Sequence, residues 1–447
     1  MAPQKSNSSR KPTKDDSKRP DKKPLPRRQV QDQNRPQRQQ NDSGAENQNE
    51  KNQIDISDSI PITLQQILLN VFKSALLSSP HSSSESQDPA AEEPLDIKTL
   101  IQTIKSHLYN RDFDSAFADA DEGLLRAYAL RWSAARALGY AGLFKSMFKV
   151  LMEDEARNSG KGSALHPAHV VCIGGGAGAE IVALSAAWRD LMDEGTILGS
   201  QKGLSDAFEA VSLSDKHGGQ GDESTRKSEQ LQTPPTSSSS LSITAVDIAD
   251  WSAVVRRLSS TILSPSVPGS KSHPSPLLAN GQQQDTTTDS ILNVDFKRLD
   301  VLSLSDAELA SLFHSTQPSS STHTNMVTLM FTLNELFSTS MPKATAFLLR
   351  TTDLLQPGTL LLVVDSPGSY STLKLGKGGS AGAQERQYPM KFLLDHALLS
   401  VTKGSWERVY SQDSRWWRRD AARLWYDVGE GAGLEDMRFQ IHVYRRL

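Results

Sequence analysis

The sequence predicts an α/β fold in which a mostly parallel, doubly wound sheet ends in an antiparallel C-terminal strand and follows a helical N-terminal region. The first observation is an apolar run, 170–173, that leads directly into glycines and then into a helical pattern. The second is a set of four later apolar runs, each followed by polar residues, as expected where parallel strands end. The third is the alternation of apolar and polar residues over 437–446, which is typical of an antiparallel strand.

The first predicted strand is followed by Gly174, Gly176 and Gly178, and then by Glu180 at the start of a helix. Such glycines let the backbone approach a ligand closely, and the helix N-terminus presents free N–H groups. Two ligand classes compete, because Gly174, Gly176 and Ala179 also satisfy the G-x-G-x-x-G/A pattern of dinucleotide-binding enzymes. The G-x-G-x-G spacing with Glu180 two residues later favours S-adenosylmethionine, which brings no pyrophosphate to the loop. A tight turn without a ligand is the remaining interpretation.

Acidic residues follow the second and third predicted strands. Asp247 ends the run 241–247, where a carboxylate can accept hydrogen bonds from both hydroxyls of a ribose. It could instead cap the next helix. The glycines and Asp247 are farther apart than the usual spacing of about twenty residues, which a polar insertion between them explains. Asp300 follows the third strand, where related enzymes present an acid to the adenine amino group.

The fourth and fifth predicted strands also end in polar side chains. Asn334 and Glu335 follow the run 326–333, and Asp365 follows the run 358–364. Because the carboxyl ends of parallel strands meet at one crevice, we expect these three groups to face the substrate. They are the candidate catalytic residues.

Composition divides the chain into four regions. Two of them are too polar to bury a core, and two polar insertions interrupt the last region. The predicted regions are a disordered basic tail (1–60), a short helix and serine-rich linker (61–94), a helical N-terminal region (95–165) and a cofactor-binding domain (166–447) with disordered insertions at about 199–240 and 264–290.

Charge and cysteine content narrow the function classes. The first forty residues hold twelve Lys and Arg against four Asp, although the whole chain of 447 residues has a net charge of −3. This tail could contact phosphates, or it could be a solvated tail or a nuclear-import signal, and these interpretations are compatible. The single cysteine, Cys172, excludes disulfides and a cysteine-rich zinc site, so we expect no metal. No apolar run approaches the eighteen or so residues of a membrane span, and we expect a soluble intracellular protein.

Two segments combine arginines with aromatic side chains. Arg131 and Arg136 in the helical region could contact an RNA phosphate or the cofactor carboxylate, or could lie on the surface of a packed helix. A C-terminal cluster suits an unpaired nucleotide, because bases stack on tryptophan and guanidinium while phosphates pair with arginine. The alternative is buried tryptophans with arginines at the rim. The cluster consists of Arg415, Trp416, Trp417, Arg418 and Arg419.

Several motifs together resemble the fungal large-subunit (25S) rRNA methyltransferases that act on uridine N3. This is a class I, S-adenosylmethionine-dependent family with a Rossmann-like fold. The resemblance covers about residues 95–447 without the insertions, and its most specific parts are the Trp-Trp and His-Val-Tyr segments. The motifs are 128–140, 170–180, 328–337, 365–369, 415–420 and 434–446.

The resemblance implies S-adenosylmethionine as the methyl donor, S-adenosylhomocysteine and 3-methyluridine as products, and large-subunit rRNA or a pre-ribosomal particle as the partner. N3 lies on the Watson–Crick edge, so the base must be unpaired or flipped out. Because N3 carries a weakly acidic proton, a positioned base would help, with Glu335 the first candidate and Asp365 the second. Asn334 could hydrogen-bond a uracil carbonyl. We expect a monomer in the nucleus or nucleolus, with the cytoplasm as a further location.

Other function classes stay open on the sequence alone. They are a methyltransferase of another RNA, a protein or a small molecule, and a catalytically silent RNA-binding assembly factor. An NAD-dependent dehydrogenase is more distant. The basic tail and the Arg/Trp cluster favour RNA, and the intact glycines and Asp247 argue against a silent protein.

Overall fold

The structure, a computed structural model, describes most of the chain. The predicted tail, linker and insertions fall outside the described residues at 1–53, 78–94, 215–238 and 280–289. The described residues are 54–77, 95–110, 112–160, 165–214, 239–279, 290–314, 323–368, 370–375 and 384–447.

Nine β-strands occur in the described part of the chain: β1 (Ala168–Ile173), β2 (Leu241–Asp247), β3 (Leu292–Arg298), β4 (Met326–Met330), β5 (Leu360–Asp365), β6 (Tyr370–Leu375), β7 (Gln384–Pro389), β8 (Trp406–Trp417) and β9 (Met437–Arg446). Seven of them form one sheet in the order β3-β2-β1-β4-β5-β9-β8. Strands β1 to β5 are parallel, whereas β9 runs antiparallel to both β5 and β8. This topology confirms the predicted mostly parallel sheet with an antiparallel C-terminal strand.

The helices cover both faces of the sheet. Three short π-helical segments, Asp114–Ala118, Ala129–Ser133 and His396–Val401, adjoin or separate the α-helices. The α-helices are α1 (Ile62–Leu77), α2 (Ile97–Tyr109), α3 (Glu122–Tyr128), α4 (Ala134–Ser159), α5 (Ala179–Ser214), α6 (Ser252–Ile262), α7 (Asp306–Phe313), α8 (Leu333–Thr339), α9 (Met341–Leu354) and α10 (Met390–Asp395).

Alternate residues of β1 point to opposite faces of the sheet and enter two hydrophobic cores. Val170 and Cys172 belong to the larger core, which includes the buried faces of α1, α4, α5 and α6. Val171 and Ile173 belong to the second core, which includes side chains of α7 to α10. The strand order reverses between β1 and β4, and this reversal opens a crevice at the carboxyl ends of the strands.

The predicted basic tail extends too far along the chain. Ile56 and Ile60 are buried, and Asp58 forms an ion pair of 2.7 Å with Lys149 of α4. The close fit is visible at Gly142, where a Cβ atom would lie 2.3 Å from the Asp58 carbonyl oxygen. Residues 54–60 are therefore ordered, because two isoleucines in a polar sequence are enough to bury the segment on α4.

Both predicted insertions are also shorter than expected. Helix α5 continues to Ser214, so the first insertion does not begin at residue 199. Residues 264–279 pack against the domain: Leu277 and Leu278 are fully buried, and Arg189 of α5 donates hydrogen bonds to the carbonyl oxygens of Pro276 and Leu277. The prediction of disorder for 264–279 was wrong, because these few contacts order an otherwise serine- and proline-rich stretch.

A buried ion pair joins α4 to α5. Lys145 Nζ lies 2.6 Å from Asp190 Oδ2 and 2.6 Å from Glu194 Oε1, and only 5% of the Lys145 and Asp190 side chains is exposed. Burial opposes the ammonium charge, but the hydrogen bonds to both carboxylates outweigh it and raise the pKa of Lys145. Removing the lysine would leave Asp190 as an uncompensated buried charge.

We expect Lys145→Ala to lower the free energy of unfolding by about 3–5 kcal/mol, as for other broken buried pairs. Equilibrium urea unfolding measures the change. The matched control is Arg157→Ala, which removes the pairs that the 64% exposed Arg157 side chain makes with Glu153 and Asp154 and should cost at most about 1 kcal/mol. Equal losses in the two variants would contradict the structural role of Lys145.

Candidate active site

A cavity of about 530 Å³ lies in the crevice at the carboxyl ends of the strands. Its walls come from the ends of β1 to β5 and from the helical N-terminal region. It brings together six of the predicted cofactor-binding and catalytic residues, Gly174, Asp247, Asp300, Asn334, Glu335 and Asp365.

The glycine loop is held tightly between its neighbours. Gly174 has a φ of 78°, and a Cβ atom there would lie 2.2 Å from Thr332 Oγ1. Its amide donates a hydrogen bond of 2.8 Å to the Val246 carbonyl oxygen. Gly176 and Gly178 do not line the cavity; Cβ atoms there would lie 2.2 Å from Trp251 and Leu258. Gly174 therefore forms the cavity wall, and the other two allow the loop to pack behind it.

Asp247 ties the glycine loop to the end of β2. Its Oδ2 accepts a hydrogen bond of 3.2 Å from the Gly176 amide, and its Oδ1 accepts one of 3.2 Å from the Ala249 amide. Burial raises the pKa of Asp247, although these amide hydrogen bonds act in the opposite direction. The N-cap of α6 is Trp251, which has no side-chain cap, so Asp247 does not cap this helix. It lines the cavity, as a ribose-binding carboxylate should.

Glu180 is buried beneath the loop and does not line the cavity. Burial, reinforced by the nearby negative charge of Asp247, raises the pKa of Glu180 to about 8. Its Oε1 has no hydrogen-bond partner among the described residues. The structure thus places Glu180 behind the predicted cofactor site rather than on its surface.

Asp300 lines the cavity beyond Asp247, with the apolar side chains of Leu299, Val301 and Leu302 around it. Its Oδ1 accepts a hydrogen bond of 2.9 Å from the Leu302 amide, which fixes the carboxylate at the wall. An acid surrounded by aliphatic groups suits a flat, nitrogen-rich ring such as adenine.

The ends of β4 and β5 are joined through Asp365, which is buried. Asp365 Oδ2 accepts a hydrogen bond of 3.0 Å from the backbone amide of Asn334, and Oδ1 accepts one of 2.7 Å from the backbone amide of Ser366. The Asn334 Oδ1 atom is buried and has no hydrogen-bond partner among the described residues. Asn334 therefore offers a hydrogen-bond acceptor that an N–H or O–H group of a ligand in the cavity could satisfy.

Glu335 stands at the open side of the cavity, where solvent reaches its side chain. The surrounding protein still displaces much of the bulk water, and this desolvation, with the negative charge of Asp365, raises the pKa of Glu335 to about 7. Arg136 acts in the opposite direction. A carboxyl group that titrates near neutral pH can accept a proton from a weakly acidic substrate.

The sequence did not reveal the aromatic wall of the cavity, which consists of Phe117, Tyr128, Trp251 and Phe331. Phe331 is the one non-glycine residue with a positive φ in the described part of the chain, at 60°. Its amide donates to the Val364 carbonyl oxygen at 2.7 Å, which holds this strained conformation. A positive φ cannot be read from a phenylalanine in a sequence.

Arg136 is the only cation among the residues that line the cavity in the described structure. Its guanidinium donates a hydrogen bond of 3.0 Å to the Tyr128 hydroxyl and lies 5.0 Å from the centre of the Phe331 ring. Of its two predicted roles, this position favours an anionic group inside the cavity over RNA phosphate at the surface.

The prediction that Arg131 contacts RNA is wrong. The Arg131 side chain is buried, donates a hydrogen bond to the Gly433 carbonyl oxygen at 3.3 Å and forms an ion pair with Glu435. It ties the helical region to the segment before β9 and has no exposed guanidinium to offer a phosphate.

The C-terminal Arg/Trp cluster divides between surface and interior. Trp416 is 52% exposed, and the guanidinium groups of Arg418 and Arg438 lie 4.9 and 5.8 Å from its ring centre. Trp417 is half-buried and packs on the larger core, so the alternative of a buried tryptophan holds for it. Arg438 was missed because it lies on β9, opposite Trp416 in the register. Arg415 and Arg419 are partly exposed beside this surface.

The chain matches the family model described as "Putative SAM-dependent methyltransferase" over residues 76–445. It belongs to this family. It is 29% identical over 386 residues to the 25S rRNA (uridine(2843)-N(3))-methyltransferase of Saccharomyces cerevisiae, with 85% of each chain covered. The family decides the choice of ligand: the cofactor is S-adenosylmethionine, and the dinucleotide interpretation of the loop is set aside.

Solved structures give only a weak likeness. A SAM-dependent methyltransferase from Methanosarcina mazei has 11% identity, 64% of this chain and 94% of that chain covered, and a TM-score of 0.29. An O-methyltransferase family protein from Burkholderia thailandensis has 10% identity, 78% and 70% coverage, and a TM-score of 0.30. The class I fold is therefore assigned from the strand order and the family.

The cavity residues fit S-adenosylmethionine. The volume lies within the range of small-molecule sites. Asp247 and Asp300 supply acceptors for hydroxyl and amino groups, and Arg136 supplies a cation for a carboxylate. The described residues contain no group of three or more His, Cys, Asp or Glu arranged to hold a metal ion. No helix within the described ranges is long and apolar enough to cross a membrane.

We expect Gly174→Ala to weaken S-adenosylmethionine binding at least tenfold by isothermal titration calorimetry, because the added methyl group would displace Thr332 and the loop. The matched control is Gly358→Ala. Gly358 has a φ of 91° but open space around it, so this variant carries the backbone strain of about 1–2 kcal/mol without the clash. Equal affinities in both variants would contradict the close fit of the loop.

Proposed function

We propose that this protein transfers a methyl group from S-adenosylmethionine to N3 of a uridine in large-subunit rRNA. The similarity to the yeast uridine-N3 methyltransferase motivates the substrate. The observation that carries the proposal is the Asn334, Glu335 and Asp365 group at the ends of β4 and β5. There a carboxyl group with a pKa of about 7 stands beside an amide oxygen without a partner among the described residues.

In this proposal the cofactor occupies the half of the cavity formed by β1, β2 and β3. Asp247 accepts hydrogen bonds from the ribose, Asp300 accepts one from the adenine amino group, and Arg136 pairs with the methionine carboxylate. The bound sulfonium supplies an electrophilic methyl group. The four carboxylates on the cavity wall, Asp247, Asp300, Glu335 and Asp365, favour a cationic ligand.

The uracil enters at the ends of β4 and β5. Glu335 in its ionised form would take the N3 proton as the nitrogen bonds to the methyl carbon and the carbon–sulfur bond breaks, which leaves S-adenosylhomocysteine. The glutamic acid would later release that proton to water. The Asn334 side-chain N–H group donates a hydrogen bond to a uracil carbonyl oxygen and fixes the angle of approach. Asp365, held by two amides, keeps Asn334 in place and acts as a positioning residue.

The RNA reaches the cavity over the surface around Trp416. Strand β8 is parallel to β5, so its carboxyl end reaches the same edge of the sheet as the cavity. An exposed indole with two stacked guanidinium groups suits an unpaired base and its phosphates. An rRNA substrate would place the protein in the nucleus or nucleolus, with the basic tail as a further phosphate contact.

Glu335→Gln tests the general base. We expect kcat to fall by about a hundred- to ten-thousandfold. In the wild type, kcat/KM should rise with pH through about 7 and then level off, because the carboxyl group must lose its proton to act as a base. The variant should lack this rise. Glu430→Gln is the control, since this exposed residue pairs with Lys98 outside the cavity. Full turnover of Glu335→Gln would remove Glu335 from the mechanism.

The substrate is tested by mass spectrometry of nucleosides from large-subunit rRNA. Cells that lack the protein should lose one 3-methyluridine, wild-type protein should restore it, and Gly174→Ala should not. An unchanged 3-methyluridine content would reject the rRNA substrate and direct the search to other RNAs or proteins. Restoration by the loop variant would instead argue against a role for the protein's own cofactor site.

A further inference from the structure

Three rings form a parallel stack outside the cavity. The ring centres of Tyr388 and Phe392 are 5.3 Å apart with an interplanar angle of 20°, and those of Phe392 and His396 are 6.4 Å apart with an angle of 5°. Phe392 is 51% exposed, and His396 is exposed as well. We call these residues the ring ladder. Offset parallel rings expose flat π-surfaces of the kind on which a further ring can stack.

Packing against the described residues does not explain the exposed rings. The opposite face of the same segment already buries Met390, Leu394 and Leu398 in the second core, so α10 is anchored without Phe392. Phe392 and His396 are four residues apart and therefore lie on one helix face, directed to solvent. A surface phenylalanine in a stack of three rings is a candidate contact surface.

The ring ladder lies along the outer strand of the sheet. Lys391 of α10 pairs with Asp413 of β8 at 2.8 Å, and Asp395 pairs with Arg408 of β8 at 2.7 Å. Strand β8 is the last strand of the seven-stranded sheet. Trp416 follows Asp413 by three residues on the same strand, past an irregularity in its pairing with β9 between Gln412 and Arg415. The two ion pairs therefore dock the helix of the ring ladder on the strand that ends beside the exposed Trp416.

We propose that the ring ladder and Trp416 form one track that binds an unpaired RNA strand next to the target nucleotide. This inference extends the proposed function to a second region of the RNA. Unpaired bases expose their faces to aromatic side chains, whereas bases in an A-form helix are stacked on each other and hide them. The cations at Trp416 supply the phosphate contacts at one end of the track.

The test measures binding of full-length protein to a fluorescein-labelled single-stranded U12 RNA by anisotropy, at a salt concentration of about 0.3 M, where purely electrostatic contacts of the tail are weakened. Phe392→Leu keeps the apolar volume and removes the π-surface. We expect it to weaken binding about tenfold or more, as for other base-stacking residues. Phe392→Tyr should retain the wild-type affinity.

Two controls make the outcome specific. Tyr109→Ala removes a ring that is 90% exposed on α2, outside the track, and should leave the affinity for U12 unchanged. A 12-base-pair RNA duplex should bind wild type and Phe392→Leu equally. Wild-type affinity of Phe392→Leu for U12, or an equal loss for the duplex, would overturn the proposal, the first result pointing to an apolar protein partner for this face. The binding measurement needs no methyl donor. If the 3-methyluridine content of rRNA is unchanged but Phe392→Leu weakens U12 binding, only the uridine substrate is rejected and the RNA track stands.

Discussion

The cavity depends on the glycine loop being pinned to the strands on both sides of it. The Gly174 amide bonds to Val246 of β2, the Gly176 amide bonds to Asp247, and Gly174 packs on Thr332 at the end of β4. These contacts hold the loop across the point where the strand order reverses. Because Gly174 has no Cβ atom, the loop can lie against Thr332, where a larger residue would clash. The space above the loop therefore remains open for a ligand.

The helical N-terminal region supplies the wall that the sheet lacks. Helix α4 carries Arg136 into the cavity, while Phe117 and Tyr128 stand beside Trp251, the N-cap of α6, with ring centres 5.1 to 6.4 Å apart. Arg131 fastens the same region to the segment that precedes β9. The cofactor site and the Trp416 surface are therefore parts of one packed unit, and the helices before β1 belong to the enzyme core.

Local rules predicted what lies at strand ends, and tertiary packing decided the rest. Asp247, Asp300 and Asp365 were found because parallel strands end at one edge of a sheet. Arg131 and Arg136 look alike in sequence, yet Arg131 lies in a π-helical segment and is buried against Glu435, whereas Arg136 lies on α4 and enters the cavity. Residues 264–279 read as disordered because composition counts serines and prolines, whereas order here comes from Leu277, Leu278 and a bonded Arg189. Phe331 and the ring ladder depend on geometry that no spacing rule contains.

Asp365 and Glu335, the two carboxyl groups that face the proposed uracil position, differ in their hydrogen bonds and in their surroundings. Asp365 accepts hydrogen bonds from two backbone amides, those of Asn334 and Ser366. Desolvation, together with the negative charge of nearby Asp365, disfavours a negative charge on Glu335 and raises its pKa to about 7. The pair thus contains one carboxyl group that is held by backbone amides and one, on Glu335, whose pKa lies near neutral pH. Two neighbouring carboxyl groups in different surroundings can divide the work, so that one orients the substrate and the other takes its proton. No further ionisable residue is then needed beside the substrate.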